Sequence, residues 1–187
     1  MKFVCLLFLL LTFWLPWPAQ ESASSVDTEK QSRAIESVIM FQHSGNPSYK
    51  IYLANDRALV YEGIANVKTK GKILTEITDE QFQQLLSAFK DAKFSSLGRA
   101  YDFKNGCTAG LSEGPWITLT FQTGKKVKSI KHDMGCKWGD EKFVREMNTL
   151  TQLERRINEI LNIEQWIGTQ EERNKLQNPL ALPRKNT

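Results

Sequence analysis

The chain has 187 residues, with 25 lysines and arginines against 21 aspartates and glutamates, and three cysteines. That length gives one domain with a real hydrophobic core. The formal net charge of +4 is spread along the chain rather than gathered in a block, which argues against a dedicated nucleic-acid surface.

Met1-Lys2 is a short positive start, Phe3 to Leu15 is almost wholly apolar, and Pro16-Trp17-Pro18 breaks the run before the small and polar residues Ala19 to Ser25. This layout reads as a secretory signal peptide over residues 1–25. The apolar run is shorter than the ~17–25 residues of a membrane-spanning helix, so an uncleaved anchor is the weaker alternative. Ala23-Ser24-Ser25 best fits the small-x-small cleavage rule. Cys5 would leave with the leader. Cys107 and Cys136 remain, and in an exported, oxidising setting the first expectation is one disulfide. It would close a loop of about 30 residues and contribute roughly 3 kcal/mol. The address that follows is periplasmic or extracellular.

Residues 26–33 are polar and aperiodic, a flexible lead-in to a single domain over residues 34–168. Ile35, Ile39 and Phe41 alternate with Val38 and Met40, so both faces of a first strand are apolar, which predicts cover on both sides. Gly45-Asn46-Pro47 turns the chain. Tyr49, Ile51 and Leu53 mark a second strand, Asn55-Asp56 a hairpin turn, and Leu59 and Tyr61 a third strand ending at Gly63. Ile64 to Thr69, closed by Lys70-Gly71-Lys72, is the expected fourth.

Thr78 with Gln81 is a capping-box pair, and Ile77 with Phe82 a hydrophobic staple. Phe82, Leu85, Leu86 and Phe89 then form one apolar stripe on a helix running to about Lys93. Ser95 to Pro115 is irregular and glycine-rich, with Cys107 in its middle; a loop of that kind is functional or covalently held. Two strands follow, Trp116 to Phe121 and Lys126 to Lys131. Val127 and Ile130 have opposite parity, which predicts a bulge or register change in the second. Asp140 caps a helix whose stripe is Phe143, Met147, Leu150, Leu153, Ile157, Ile160 and Leu161. Thr151 with Glu154 reads as a further capping box, splitting that helix near Thr149. Trp166 and Ile167 dock the end before Gly168. Residues 169–187 form a polar tail, with helical potential over Thr169 to Gln177 and disorder from Asn178 to Thr187. Grouped strands predict an α+β fold, an antiparallel sheet of about five or six strands with two main helices packed on one face.

Asn46-Pro47-Ser48-Tyr49-Lys50-Ile51-Tyr52, followed by Leu59-Val60-Tyr61-Glu62-Gly63, resembles the start of an exported bacterial family, domain of unknown function 6438. The similarity continues through the Thr78-capped helix, the Trp116–Phe121 strand, the basic strand ending at His132, and the Trp166 end, covering about Ile35 to Gly168. The resemblance implies the fold and the exported setting but no activity. The family often has a cysteine pair around the first turn. Gln42 and Asn46 stand at the matching places here, so no role for those cysteines carries over.

His132, Asp133 and Cys136 lie within five residues, and Cys107 is close enough in the expected topology to join them. A metal site with two thiolates, His132 and Asp133 is one reading; a disulfide with a nearby exposed histidine outranks it, because paired thiols oxidise outside the cell and no C-x-x-C spacing is present. Nucleophilic chemistry would use Cys107, with His132 as base and Asp102 orienting it, but needs a free thiolate. Thiol exchange through Cys107 and Cys136 lacks redox-motif spacing. His43 beside Ser44-Gly45 reads as a polar turn residue, and Glu113, Asp102 and Asp133 as carboxylates without a specific pattern. Lys68, Lys70 and Lys72, then Lys125, Lys126, Lys128 and Lys131, read as solvated strand faces and edges ahead of an anionic-surface site. The sequence thus favours a monomeric, non-enzymatic binding or structural module of the cell envelope or extracellular space, with no cofactor and no nucleic acid. Membrane contact would come only through an uncleaved leader or weak electrostatics. The alternative is a small hydrolase or thiol-redox protein using Cys107, His132 and Cys136.

Overall fold

The computed structural model describes residues 37–111 and 114–177. The leader, the lead-in, Glu113 and residues 178–187 lie outside the described residues. Nine strands and four helices follow in order. They are β1 Ser37–Ser44, β2 Ser48–Ala54, β3 Ala58–Ala65, β4 Gly71–Glu76, α1 Asp79–Asp91, β5 Ala100–Tyr101, β6 Ala109–Gly110, β7 Trp116–Thr123, β8 Lys126–Asp133, β9 Cys136–Trp138, α2 Glu141–Ile160, α3 Glu164–Ile167 and α4 Gln170–Gln177. The fold is α+β. The main sheet has the order β4-β3-β2-β1-β7-β8-β5, and a small second sheet pairs β6 with β9. Six strands of the main sheet are antiparallel neighbours; the two-residue β5 adds a seventh, parallel to β8, so the sheet is mixed rather than purely antiparallel.

Alternation sorts the sheet into two faces. Ile39, Phe41, Tyr49, Ile51, Leu53, Leu59, Tyr61, Ile117, Leu119 and Ile130 are buried in one core with Leu85 and Phe89 of α1 and the Phe143–Ile160 stripe of α2. Both main helices therefore cover this face. The capping box at Thr78 is present in full, and the Gln81 side chain reaches further, donating from Nε2 to the Ile160 carbonyl at 2.7 Å. One residue thus starts α1 and satisfies an orphan carbonyl at the end of α2. Asp140 caps α2 by accepting the Phe143 amide at 2.8 Å.

Four expectations are corrected. Among the described residues β1 is covered on one face only: Ile39 and Phe41 are buried, whereas Met40 and Gln42 stay half-exposed on the other. The fourth strand is Gly71–Glu76, not Ile64–Thr69, because the chain after Ala65 turns back through Asn66 at φ 55° and sends the amides of Lys68 and Thr69 to the carbonyls of Ile167 and Trp166. The β7–β8 register is unbroken from Trp116↔Asp133 to Thr123↔Lys126. Val127 points to the open face, 64% exposed, while Ile130 is buried on the other, so their opposite parity reflects two faces and no bulge. Finally, α2 runs 20 residues without a break. Thr149 and Thr151 donate their hydroxyls back to the carbonyls of Arg145 and Met147, at 3.0 Å each, and leave the ladder intact.

Candidate functional site

The long segment between η-turn Phe94–Ser96 and β7 is held covalently and by strand pairing. Cys107 is bonded to Cys136, with the Cα atoms 5.9 Å apart and a sequence separation of 29. Both residues are buried. Flanking them, β6 and β9 pair at Ala109↔Trp138 and Gly110↔Cys136. Gly110 and Gly135 are needed here, since a Cβ on Gly110 would lie 2.1 Å from the Gly135 carbonyl oxygen.

The two acidic candidates shape turns. Asp102 Oδ1 accepts the Lys104 amide at 3.0 Å and the Asn105 side-chain amide at 2.6 Å. Asp133 Oδ1 accepts the Gly135 amide at 2.9 Å. Neither approaches His132 as an orienting group. His132 turns instead to a residue that sequence reasoning passed over: its Nδ1 lies 3.0 and 3.1 Å from the carboxylate oxygens of Glu154. Each residue of the pair is 4% exposed, so the histidine expected at the surface is buried, because even-numbered residues of β8 face the core and α2 covers it there. Burial pushes the Glu154 carboxyl up, and the hydrogen bond from His132 opposes this. The pair joins β8 to the middle of α2.

His132 stands in a row across the sheet. Cross-strand register runs Gly63–Tyr49–His43–Ile117–His132–Tyr101 from β3 to β5. Tyr49 donates its hydroxyl to Asn158 Oδ1 at 3.1 Å, and Tyr101 donates to Glu146 Oε2 at 2.9 Å while accepting the Gly98 amide at 2.7 Å. Burial raises both phenols. His43 stacks on Tyr49 with ring centroids 5.6 Å apart, and its Nδ1–H donates to the Pro47 carbonyl at 2.6 Å. Burial lowers the His43 pKa, and the nearby Arg173 charge adds to this. On the far side Tyr49 leads through Tyr61 to Trp166, at 6.2 and 5.1 Å. Tyr61 donates to the Thr69 carbonyl at 3.0 Å, and burial pushes its phenol up to about 12.

The row ties sheet to helix, since Tyr49, His132 and Tyr101 meet Asn158, Glu154 and Glu146 of α2. His132 and Glu154 form the base–orienter half of a hydrolytic site, but the sulfurs of Cys107 and Cys136 are consumed in their mutual bond. Among the described residues no group of three or more His, Cys, Asp or Glu side chains converges to hold a metal. The two lysine groups stand at opposite sides of the sheet, Lys68, Lys70 and Lys72 before and at the start of β4 and Lys125, Lys126, Lys128 and Lys131 in the turn before β8 and along it, and make no common patch.

The family model described as Domain of unknown function (DUF6438) matches residues 45–161, more than half of the chain. The chain belongs to this family. No curated protein matches it. The matched span begins at the first turn and ends at the last turn of α2, so it takes in the sheet from β2 onward, both main helices and the disulfide. Within it the Tyr61-x-Gly63 motif has a physical reading. A Cβ on Gly63 would meet the Thr69 carbonyl oxygen at 2.0 Å and the Tyr61 hydroxyl at 2.7 Å, so the glycine makes room for the bond that Tyr61 forms.

Proposed function

We propose that this domain is a non-enzymatic binding or structural module working in the cell envelope or extracellular space. The observation that carries the reading is the Cys107–Cys136 bond, which occupies both thiols of the described chain and belongs with an oxidising compartment. The neighbouring groups agree with it: His132 is enclosed with Glu154, and Asp102 and Asp133 are used in turns. A hydrolase or redox protein built on Cys107, His132 and Cys136 would need an accessible thiolate or an exposed, exchangeable sulfur, and both cysteines are buried. The leader in residues 1–25 supports export.

The test is the intact mass of the protein expressed with its leader, before and after reduction, combined with alkylation. The expected result is a chain beginning within residues 23–26 whose two cysteines alkylate only after unfolding and reduction. A cysteine that alkylates in the native, unreduced protein would overturn the reading and make Cys107 with His132 the site to mutate.

A further inference from the structure

A cleft of about 1050 Å³ opens at the end of the β7–β8 hairpin, between β8, the C-terminal turn of α1 and the Phe94–Arg99 segment. Beneath it lies an aromatic cluster: the half-buried Phe121 stacks on the buried Phe89 at 4.3 Å, and the buried Phe94 packs edge-on to Phe89 at 5.1 Å, so that Phe121 and the half-buried Leu86 offer the apolar surface. Around that surface stand Lys90, Lys93, Arg99, Lys126 and Lys128, and no acidic side chain lines the cleft. Lys90, Lys93, Arg99 and Lys126 have no acidic partner among the described residues. Lys128 donates to the carbonyls of Ser95, at 2.9 Å, and Leu97, leaving one of its three N–H donors uncommitted.

One wall of this cleft is sheet edge. β5 pairs only with Lys131 and His132, so Lys126–Ser129 extends beyond it. The Lys131 amide points outward, to the Arg99 carbonyl at 3.0 Å. By the period of two along a strand, the amides of Ser129 and Val127 point the same way, past the end of β5. The cleft occupies the place where a longer β5 would have continued.

We infer that this cleft is a docking site for an acidic peptide in extended conformation, which adds as a strand beside Lys126–Ser129. An apolar side chain of the peptide seats on Phe121 and Leu86 while its carboxylates face the surrounding cations. Backbone pairing supplies the edge contact, the exposed part of Phe121 with Leu86 selects an apolar anchor, and four cations without an acidic partner, Lys90, Lys93, Arg99 and Lys126, set the sign of the partner's charge. The inference rests on the binding-module reading and names its partner class.

The probe is a fluorescein-labelled, end-blocked nine-residue peptide alternating glutamate with valine around a central phenylalanine, followed by fluorescence anisotropy with the disulfide-intact protein. Saturable binding is expected, weakening roughly tenfold or more between 50 and 300 mM salt. The double variant Lys126→Glu/Arg99→Glu should weaken it by a similar factor. Val127→Pro removes an outward amide and leaves the β7–β8 ladder whole, so it should weaken binding at least about fivefold with an unchanged melting curve. The same peptide with lysine in place of glutamate should not bind. The inference is overturned if the acidic peptide fails to bind, or if it binds equally to the charge-reversed and proline variants. It is overturned as well if dodecanoate or anionic vesicles compete for the same cations while Val127→Pro has no effect, for the occupant is then an amphiphile and not a strand. Cysteine alkylation is indifferent to these substitutions, so failure here is distinguishable from failure of the binding-module reading.

Discussion

Nδ1 of His132, on β8, lies within 3.1 Å of both carboxylate oxygens of Glu154, on α2, in a contact closed to solvent on every side the described residues provide. A proton on that line is donated by the imidazole when Glu154 is ionised. The pair fixes the rotation and height of α2 above the sheet, because Glu154 is the one charged residue on an otherwise apolar stripe.

Removing one member should be far worse than removing both. Glu154→Ala leaves a buried imidazole unpartnered and is expected to destabilise the domain by about 3–5 kcal/mol. The double variant Glu154→Leu/His132→Phe should recover much of that loss, and urea unfolding of the three proteins measures the difference.

Titration of Glu154 gives a pH dependence of definite sign. Its native pKa is raised by burial, so the native state holds the proton to higher pH than the unfolded chain does. Its contribution is full below the unfolded carboxylate value and is lost as pH rises through the raised native one. His43 works in the other direction. Its native pKa is depressed, so stability is lost as pH falls below the ordinary imidazole value of about 6.5. His43→Gln should flatten the loss of stability as pH falls below neutrality, and Glu154→Gln the loss as pH rises above the ordinary carboxylate range, each read as unfolding midpoints across a pH series.

Gly63→Ala is expected to cost about 2–3 kcal/mol, because the added methyl meets main chain rather than a movable side-chain end. Tyr61→Phe at the same place removes only the hydroxyl and should cost about 1 kcal/mol. Scanning calorimetry ranks the two.

Thr78→Ala removes one half of a capping box and should cost about 1 kcal/mol. Gln81→Ala should cost more, since it removes both the reciprocal cap and the bond to Ile160 that ties α1 to the end of α2. Equal losses in denaturant midpoint would show that the inter-helix bond contributes nothing.

What was legible in the chain followed local physics. The caps at Thr78 and Asp140 and the stripes from Phe82 and Phe143 announce both helices, since capping and periodicity are settled within a few residues. The meander and the α+β class could be read from alternation. The parallel β5 could not, because two residues carry no period and their pairing is decided by where the disulfide-held segment returns. Thr151 and Glu154 misled for a related reason: the spacing of a capping box also occurs inside a continuous helix, where the hydroxyl bonds backward. Glu154 itself was visible as a charge between Leu153 and Ile157, and that position on the stripe is the signal that would have found the partner of His132. The cleft at Phe89, Phe94 and Phe121 was not legible, for its walls come from three separate elements.

The bond between Cys107 and Cys136 encloses β7 and β8, and β7 is the strand that pairs with β1. A single backbone cut anywhere between those cysteines therefore leaves one covalent molecule. Its two fragments would part on a denaturing gel only after reduction, so a nicked copy and an intact one are told apart by reduction alone.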